Sequence, residues 1–231
     1  MEEIIENFYD SQISKPNLHK GICLFTMGLP ASGKTTHSKE VLKILGINPE
    51  NIIHLDPDII LEELRSIMSS SNLKTINKQS IILTSKIFNM LITEENQYSI
   101  IYYGTGKSWT SYQTMINKAK KNGYSTGLIN VKLDVDTAIR RNSLRARSVG
   151  RSVITNINNR LSTPLTNKKT PKKHTGKTNY EVLSSLVDFV YDIDTTNTTP
   201  TVLKAKGKNK RRFKPKSLKR KNKKKRKSKL L

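Results

Sequence analysis

The chain has 231 residues, 35% of them apolar, enough for one modest core. It holds 42 Lys and Arg against 18 Asp and Glu, a formal charge of +24, yet 17 of the basic residues and none of the acidic ones fall in 204–231. A uniformly basic, histone-like protein is therefore excluded, since residues 1–203 carry 25 basic and 18 acidic side chains. The single Cys23 excludes an internal disulfide framework, and its apolar neighbours predict a buried, reduced thiol. The acidic start Met1–Glu6 lacks signal-peptide design, and no apolar stretch approaches the length of a membrane span. An intracellular protein without membrane contact is expected. His19, His37, His54 and His174 show no metal-ligand spacing.

Residues 1–20 read as a short helical arm with a turn at Lys15-Pro16-Asn17. Ile22–Met27 is a continuous apolar run bounded by glycines, which predicts a buried parallel strand. Gly33–Leu45 has helical spacing and stops at Gly46. Asn51–Leu55 is a second strand, ended by Asp56-Pro57-Asp58, and Asp58 can cap a helix that runs to Arg65 or Met68. After a break at Ser69–Asn72, residues 75–95 read as a long helix with Ile81, Ile82, Ile87, Met90 and Leu91 on one side. Ser99–Tyr103 is a third strand, 110–122 a helix, Leu128–Leu133 a fourth strand, and Asp136–Arg147 a helix. Residues 148–178 are polar and rich in breakers. Tyr180–Leu186 reads as helical and Val187–Tyr191 as a fifth strand. Alternating strands and helices predict an α/β domain over 21–203: three αβα layers around a mainly parallel five-stranded sheet. Residues 204–231, nearly devoid of apolar side chains, read as a disordered basic tail.

Gly28-Leu29-Pro30-Ala31-Ser32-Gly33-Lys34-Thr35 fits the G-x-x-x-x-G-K-[ST] pattern, with Thr36 following. It lies between an apolar strand and an amphipathic helix, as a phosphate-binding loop must. Glycine permits the backbone to wrap a phosphate with its N–H groups inward. Lys34 supplies a point charge, and the Thr35 hydroxyl suits Mg²⁺. ATP and Mg²⁺ are the expected cofactors of such a P-loop NTPase domain. Asp56 and Asp58 follow the second strand, at the sheet edge where open α/β folds bind ligands. A carboxylate there can orient an acceptor hydroxyl and take its proton. Arg141 and Arg145 are four apart and share a helix face. Arg140 and Arg147 lie on a neighbouring one. Guanidinium forks fit phosphate oxygens, so an arginine lid over the transferring phosphoryl group is expected.

With these elements in this order, the sequence resembles the zeta-toxin and polynucleotide-kinase group of P-loop kinases over about residues 21–193. The carrying stretches are MGLPASGKTT, IIHLDPDII, SIIYYGTGKSWTSYQTMINKAKKNGYSTGLI and AIRRNSLRARSVGRSV. The resemblance implies that Asp58 activates the acceptor and that Arg141 and Arg145 contact phosphate. For the zeta branch it implies phosphorylation of a hydroxyl of UDP-N-acetylglucosamine. Both branches carry an acid at the end of the third strand, where this chain has Tyr103, whose phenol can hydrogen-bond a hydroxyl.

The expected function is transfer of the ATP γ-phosphoryl group to a hydroxyl of a small molecule or sugar nucleotide, with a polynucleotide 5′-hydroxyl kinase as the alternative. A nucleic-acid-binding protein with a catalytically weak P-loop domain is the reading from another class. The tail of residues 204–231 suits sequence-independent nucleic-acid binding, or address to the nucleus or nucleolus as against the cytoplasm.

Overall fold

A six-residue strand with no exposed position, β1 (Ile22–Met27), needs apolar cover on both faces. The computed structural model supplies it, and describes residues 2–13, 19–68, 72–93, 97–146, 148–168, 170–196 and 201–207. In chain order, α1 (Glu2–Ile13) precedes β1, and α2 (Lys34–Ile44), β2 (Ile53–Leu55), α3 (Pro57–Ile67), α4 (Leu73–Leu91) and β3 (Ile100–Tyr102) follow. Next come α5 (Trp109–Lys121), β4 (Ser125–Lys132), α6 (Val135–Ser143), α7 (Arg151–Ser162), α8 (Asn179–Leu186), β5 (Phe189–Asp194) and β6 (Thr201–Gly207).

The sheet order is β2-β3-β1-β4-β5-β6. The first five strands are parallel, and β6 alone runs antiparallel, against β5. Strand alternation divides the core. Cys23, Phe25 and Met27 face a layer built from α1, α3, α4, α5 and α8, with Phe88, Ile87 and Ile116 among its buried members. Ile22 and Leu24 face the other way, onto Val41 and Leu42 of α2. Burial of each such side chain contributes roughly 1.5–3 kcal/mol. A third, smaller cluster joins Leu29, just after β1, to Ala138 of α6 and Ile154 and Ile157 of α7. That cluster seats the α6–α7 hairpin on the turn after β1. Cys23 is fully buried, and burial pushes its thiol up, out of the reactive range.

The expected αβα architecture with five parallel strands is present, β6 adds a sixth, antiparallel strand, and the departures from expectation have local causes. α7 lies inside the stretch read as polar and irregular. Its apolar residues, Ile154, Ile157 and Leu161, recur at helical spacing but are outnumbered by Asn, Ser and Thr. α6 starts at an Asp134 cap, not Asp136, and ends at Ser143. α4 buries Ile76, Leu83, Ile87, Phe88 and Leu91 but leaves Ile81, Ile82 and Met90 exposed. β6 carries the chain to Gly207, four residues into the segment read as tail. The turn at 15–17, the break at 69–71, Arg147 and residues 208–231 lie outside the described residues. Among the described residues no helix is long and apolar enough to cross a membrane.

Candidate nucleotide site

The loop between β1 and α2 sits at the carboxyl edge of the sheet, next to the point where strand order reverses from β3 to β4. Its glycines are required. Gly28 has φ 139°, and a Cβ there would run into the carbonyl oxygen of Val131 on β4. Gly33, the residue before α2, is left-handed at φ 84°. Ala31 also holds a positive φ of 60°, a strained conformation for a residue with a Cβ. The surroundings enforce it. Leu29 is buried under α6 and α7, and the Gly28 N–H donates to the Thr105 carbonyl (3.2 Å).

The loop is built to receive anion. The first N–H groups of α2 have no intrahelical acceptor, and no side chain caps them. The Ser32 hydroxyl is buried with no hydrogen-bond partner among the described residues, a cost that a phosphate oxygen would relieve. Lys34 bends back so that its Nζ donates to the carbonyls of Leu29 (2.7 Å) and Gly28 (3.3 Å). Burial lowers its pKa to about 8, with Asp56 and Asp58 opposing that shift and Arg145 adding to it. Asp56, Asp58 and Arg145 therefore each lie within electrostatic reach of Lys34. Pro30, Thr35 and Thr36 complete the loop and the first turn of α2, with both threonines exposed.

Beyond β2, the Asp56 side chain accepts from the Asp58 N–H (2.9 Å) and caps α3, with Pro57 at the first helical position. The cap expected of Asp58 thus belongs to Asp56. Asp58 stands exposed in the first turn, three residues beyond the strand end. A Mg²⁺ ion finds few protein ligands here. Among the described residues there is no cluster of three His, Cys, Asp or Glu that could hold a metal. The Thr35 hydroxyl and the neighbouring carboxylates nonetheless fit an ion that keeps most of its water and is held chiefly by phosphate oxygens.

The two lid arginines part company. Arg145 is exposed, and its charge reaches Lys34. Arg141 is half-buried, and its Nη2 donates to the Thr195 carbonyl (3.0 Å). The Thr195 hydroxyl in turn donates to the carbonyls of Lys132 (2.9 Å) and Ser32 (3.3 Å). Arg141 thereby ties α6 to the segment after β5 and, through it, to the phosphate loop. Between the arginines sits a residue that helical spacing does not single out. Asn142 is buried, donates its Nδ2–H to the Val149 carbonyl (2.8 Å) and accepts from the Val149 N–H (3.2 Å). This two-point clasp closes the loop that bears Arg145, and the Arg145 N–H donates to the Asn142 carbonyl (3.2 Å). Only the residue type hints at the clasp: an amide has both a donor and an acceptor to match a peptide.

Tyr103 does not present its phenol to an acceptor. It is buried, 2.8 Å from His54 Nδ1 and 3.1 Å from Ser38 Oγ, with its ring stacked on His54. Ser38 donates to the Thr35 carbonyl (2.9 Å), and His54 Nε2 lies 2.8 Å from the Pro49 carbonyl. Burial pushes the phenol up to about 12, so it stays a neutral bridge among β2, β3 and α2. Thr26 holds Gly104 through both its N–H (3.0 Å) and its carbonyl (3.1 Å), and from α8 Asn179 donates to the carbonyls of Gly106 and Lys107 (3.0 Å each). The turn after β3 is thus fixed beside the phosphate loop.

Solved structures share this fold. The toxin of the PezAT toxin–antitoxin system of Streptococcus pneumoniae has a similar fold: TM-score 0.58 at 16% identity, covering 84% of this chain and 76% of the other. AvrRxo1-ORF1, solved with AvrRxo1-ORF2 and ATP, is similar at TM-score 0.56 and 12% identity, covering 88% of this chain and 66% of the other. At these identities the likeness is one of fold, that of P-loop kinases. A family model described as zeta toxin matches residues 7–183, most of the chain, and the chain belongs to the zeta-toxin family.

Proposed function

We propose that the protein is an ATP-dependent phosphotransferase that moves the γ-phosphoryl group to a hydroxyl of a small molecule or sugar nucleotide. The observation that carries this reading is the grouping at one sheet edge. Lys34 and an uncapped helix N-terminus lie within electrostatic reach of Asp56, Asp58 and Arg145. The amides from Gly28 to Thr36, with Lys34 and the Ser32 hydroxyl, hold the phosphates. Mg²⁺ held by Thr35 would neutralise phosphate charge. Asp58, relieved of the cap by Asp56, orients the acceptor hydroxyl and takes its proton as the oxygen bonds to the γ-phosphorus. ADP leaves with the electron pair of the broken bond. Arg145 meets the negative charge on the transferring group, and Arg141, with one N–H on Thr195, offers the rest of its fork.

Incubation with γ-labelled ATP, UDP-N-acetylglucosamine and a 5′-hydroxyl oligonucleotide tests the reading. Label on the sugar nucleotide supports it. Label on the oligonucleotide alone replaces it with the polynucleotide-kinase reading. No label on any acceptor, with nucleic-acid binding intact in Lys34→Ala, replaces it with a binding protein whose P-loop domain is inert.

A further inference from the structure

Charge in the folded domain is segregated. From Thr137 to Tyr180, 44 residues contain 11 Lys and Arg and no Asp or Glu. The rest of residues 1–203 holds 14 basic against 18 acidic side chains, so its net charge is negative. The topology places the whole cationic span on one edge of the sheet. It begins just past β4, at the carboxyl edge, and ends where α8 starts. There Asn179 bonds the turn after β3. In between, Ile154 and Ile157 of α7 pack on Leu29 of the phosphate loop. The strap of residues 163–178 closes on itself through Leu165–Lys177 and Gly176–Leu165 backbone bonds (2.9 Å each), and its His174 packs edge-on against Trp109.

Nine of the eleven basic residues are described. Arg141 is half-buried and the other eight are exposed. Among the described residues none of them is in an ion pair; the pairs present are His37–Glu40 and Lys120–Asp188. Asp134 and Glu181, just outside the span, partly offset Arg140 and Lys177, and the charges that remain exceed what one nucleotide and one small acceptor would neutralise. α7 alone is about 18 Å long. A nucleic-acid strand presents phosphates in series, about 3.4 Å apart per strand in a duplex, and so can meet charges spread over α6, α7 and the strap as one nucleotide cannot.

We propose that the acid-free span 137–180 is a polynucleotide-binding face of the folded domain, distinct from the basic C-terminal segment. The last described residues lie at the other edge of the sheet. β6 runs antiparallel to β5, so Gly207 pairs with Phe189 at the edge opposite the phosphate loop. A strand of this length puts about 20 Å between those edges. The face draws phosphodiesters to the catalytic edge by long-range attraction, and this binding does not depend on phosphoryl transfer.

The test uses the full-length protein. Ultraviolet cross-linking to a single-stranded oligodeoxynucleotide, with adducts located by mass spectrometry, should mark peptides within 137–180. Adducts confined to 208–231 would overturn the proposal. In parallel, the strap variant Lys168→Ser/Lys172→Ser/Lys173→Ser/Lys177→Ser changes only exposed side chains. Its log-affinity against log-salt slope should flatten by about 0.7 for each phosphate that the variant no longer neutralises. An unchanged slope at unchanged melting temperature contradicts the proposal. Polyglutamate of equal charge should compete much less well than unlabelled oligonucleotide. Equal competition would mean that the face suits an acidic protein instead.

Discussion

The phosphate loop and the lid loop meet at the same edge but are held in opposite ways. The phosphate loop is fixed on every side. Leu29 is buried, Gly28 packs on Val131, the Thr105 carbonyl takes its N–H, and the Tyr103–Ser38–Thr35 chain braces the helix behind it. The lid loop of residues 144–150 is exposed at each described position, Leu144 and Arg145 included, and hangs from α6 by the Asn142 clasp. A rigid cradle costs little reorganisation when phosphate arrives, while a loosely tethered arginine can close after it. Substitutions in the cradle should therefore abolish binding, whereas changes in the lid should slow turnover while sparing it.

The largest effect is expected from Gly28→Val, which drives a branched side chain into the Val131 carbonyl at a positive φ. Calorimetry should show ATP affinity lost altogether, with circular dichroism confirming an intact fold. Next comes Asp58→Asn, which should lower kcat by about 10²–10⁴ if the carboxylate serves as base. ATP affinity should stay unchanged. Asp56→Ala, by contrast, removes a helix cap and should cost about 1 kcal/mol of stability in denaturant titration. Equal kinetic losses in the two variants would contradict the division of labour between these carboxylates.

The lid offers a finer test. In Asn142→Asp the carboxylate can still accept from the Val149 N–H but faces the Val149 carbonyl without a proton to donate. Turnover should drop roughly tenfold near neutral pH, about the loss of one such hydrogen bond. It should recover, relative to wild type, as acidification protonates the introduced carboxylate. Asn142→Leu should show no such recovery, and a flat ratio in both variants would mean that the clasp does not set the lid.

How far the sequence was legible follows the same division. The phosphate loop announces itself because its backbone demands glycine at fixed spacing, and β1 because both of its faces are buried. Asp58 and Arg145 are expected near the phosphate loop from their positions after β2 and in an arginine-rich stretch; both lie within electrostatic reach of Lys34, and Arg145 falls beyond the end of α6. Sequence offers Asp58 as a cap, but Asp56 and Asp58 both precede apolar helical residues, and only the fold shows that Asp56 folds back. Asn142 and α7 were missed because their signals are tertiary. The amide finds its partner seven residues away, and three apolar residues define a helix face only once Leu29 lies beneath them. Sequence leaves open which hydroxyl the Tyr103 phenol meets, and alternation past β3 turns it toward Ser38 of α2.

The smallest effect concerns the strap. His174 is buried, its ring nitrogens have no hydrogen-bond partner among the described residues, and burial with Lys173 and Lys177 nearby lowers its pKa below 6.5. The neutral ring is the one that packs on Trp109. Its stabilising contribution is present above the ordinary value of 6.5 and is lost as pH falls toward the lowered one. Melting temperature should therefore decline modestly on acidification below about 6.5, and less so in His174→Phe. An identical pH dependence in the two proteins would show that the strap does not respond to this ring.

On the proposed reading, the turn between β1 and α2 grips a nucleotide's phosphates with Lys34. Isothermal titration of the full-length protein with ATP and Mg²⁺ tests it most directly. Saturable binding at one site is predicted, weakening as pH rises past about 8 where Lys34 loses its proton, and gone in Lys34→Ala. Absence of binding in the wild type, or equal binding in Lys34→Ala, would contradict it.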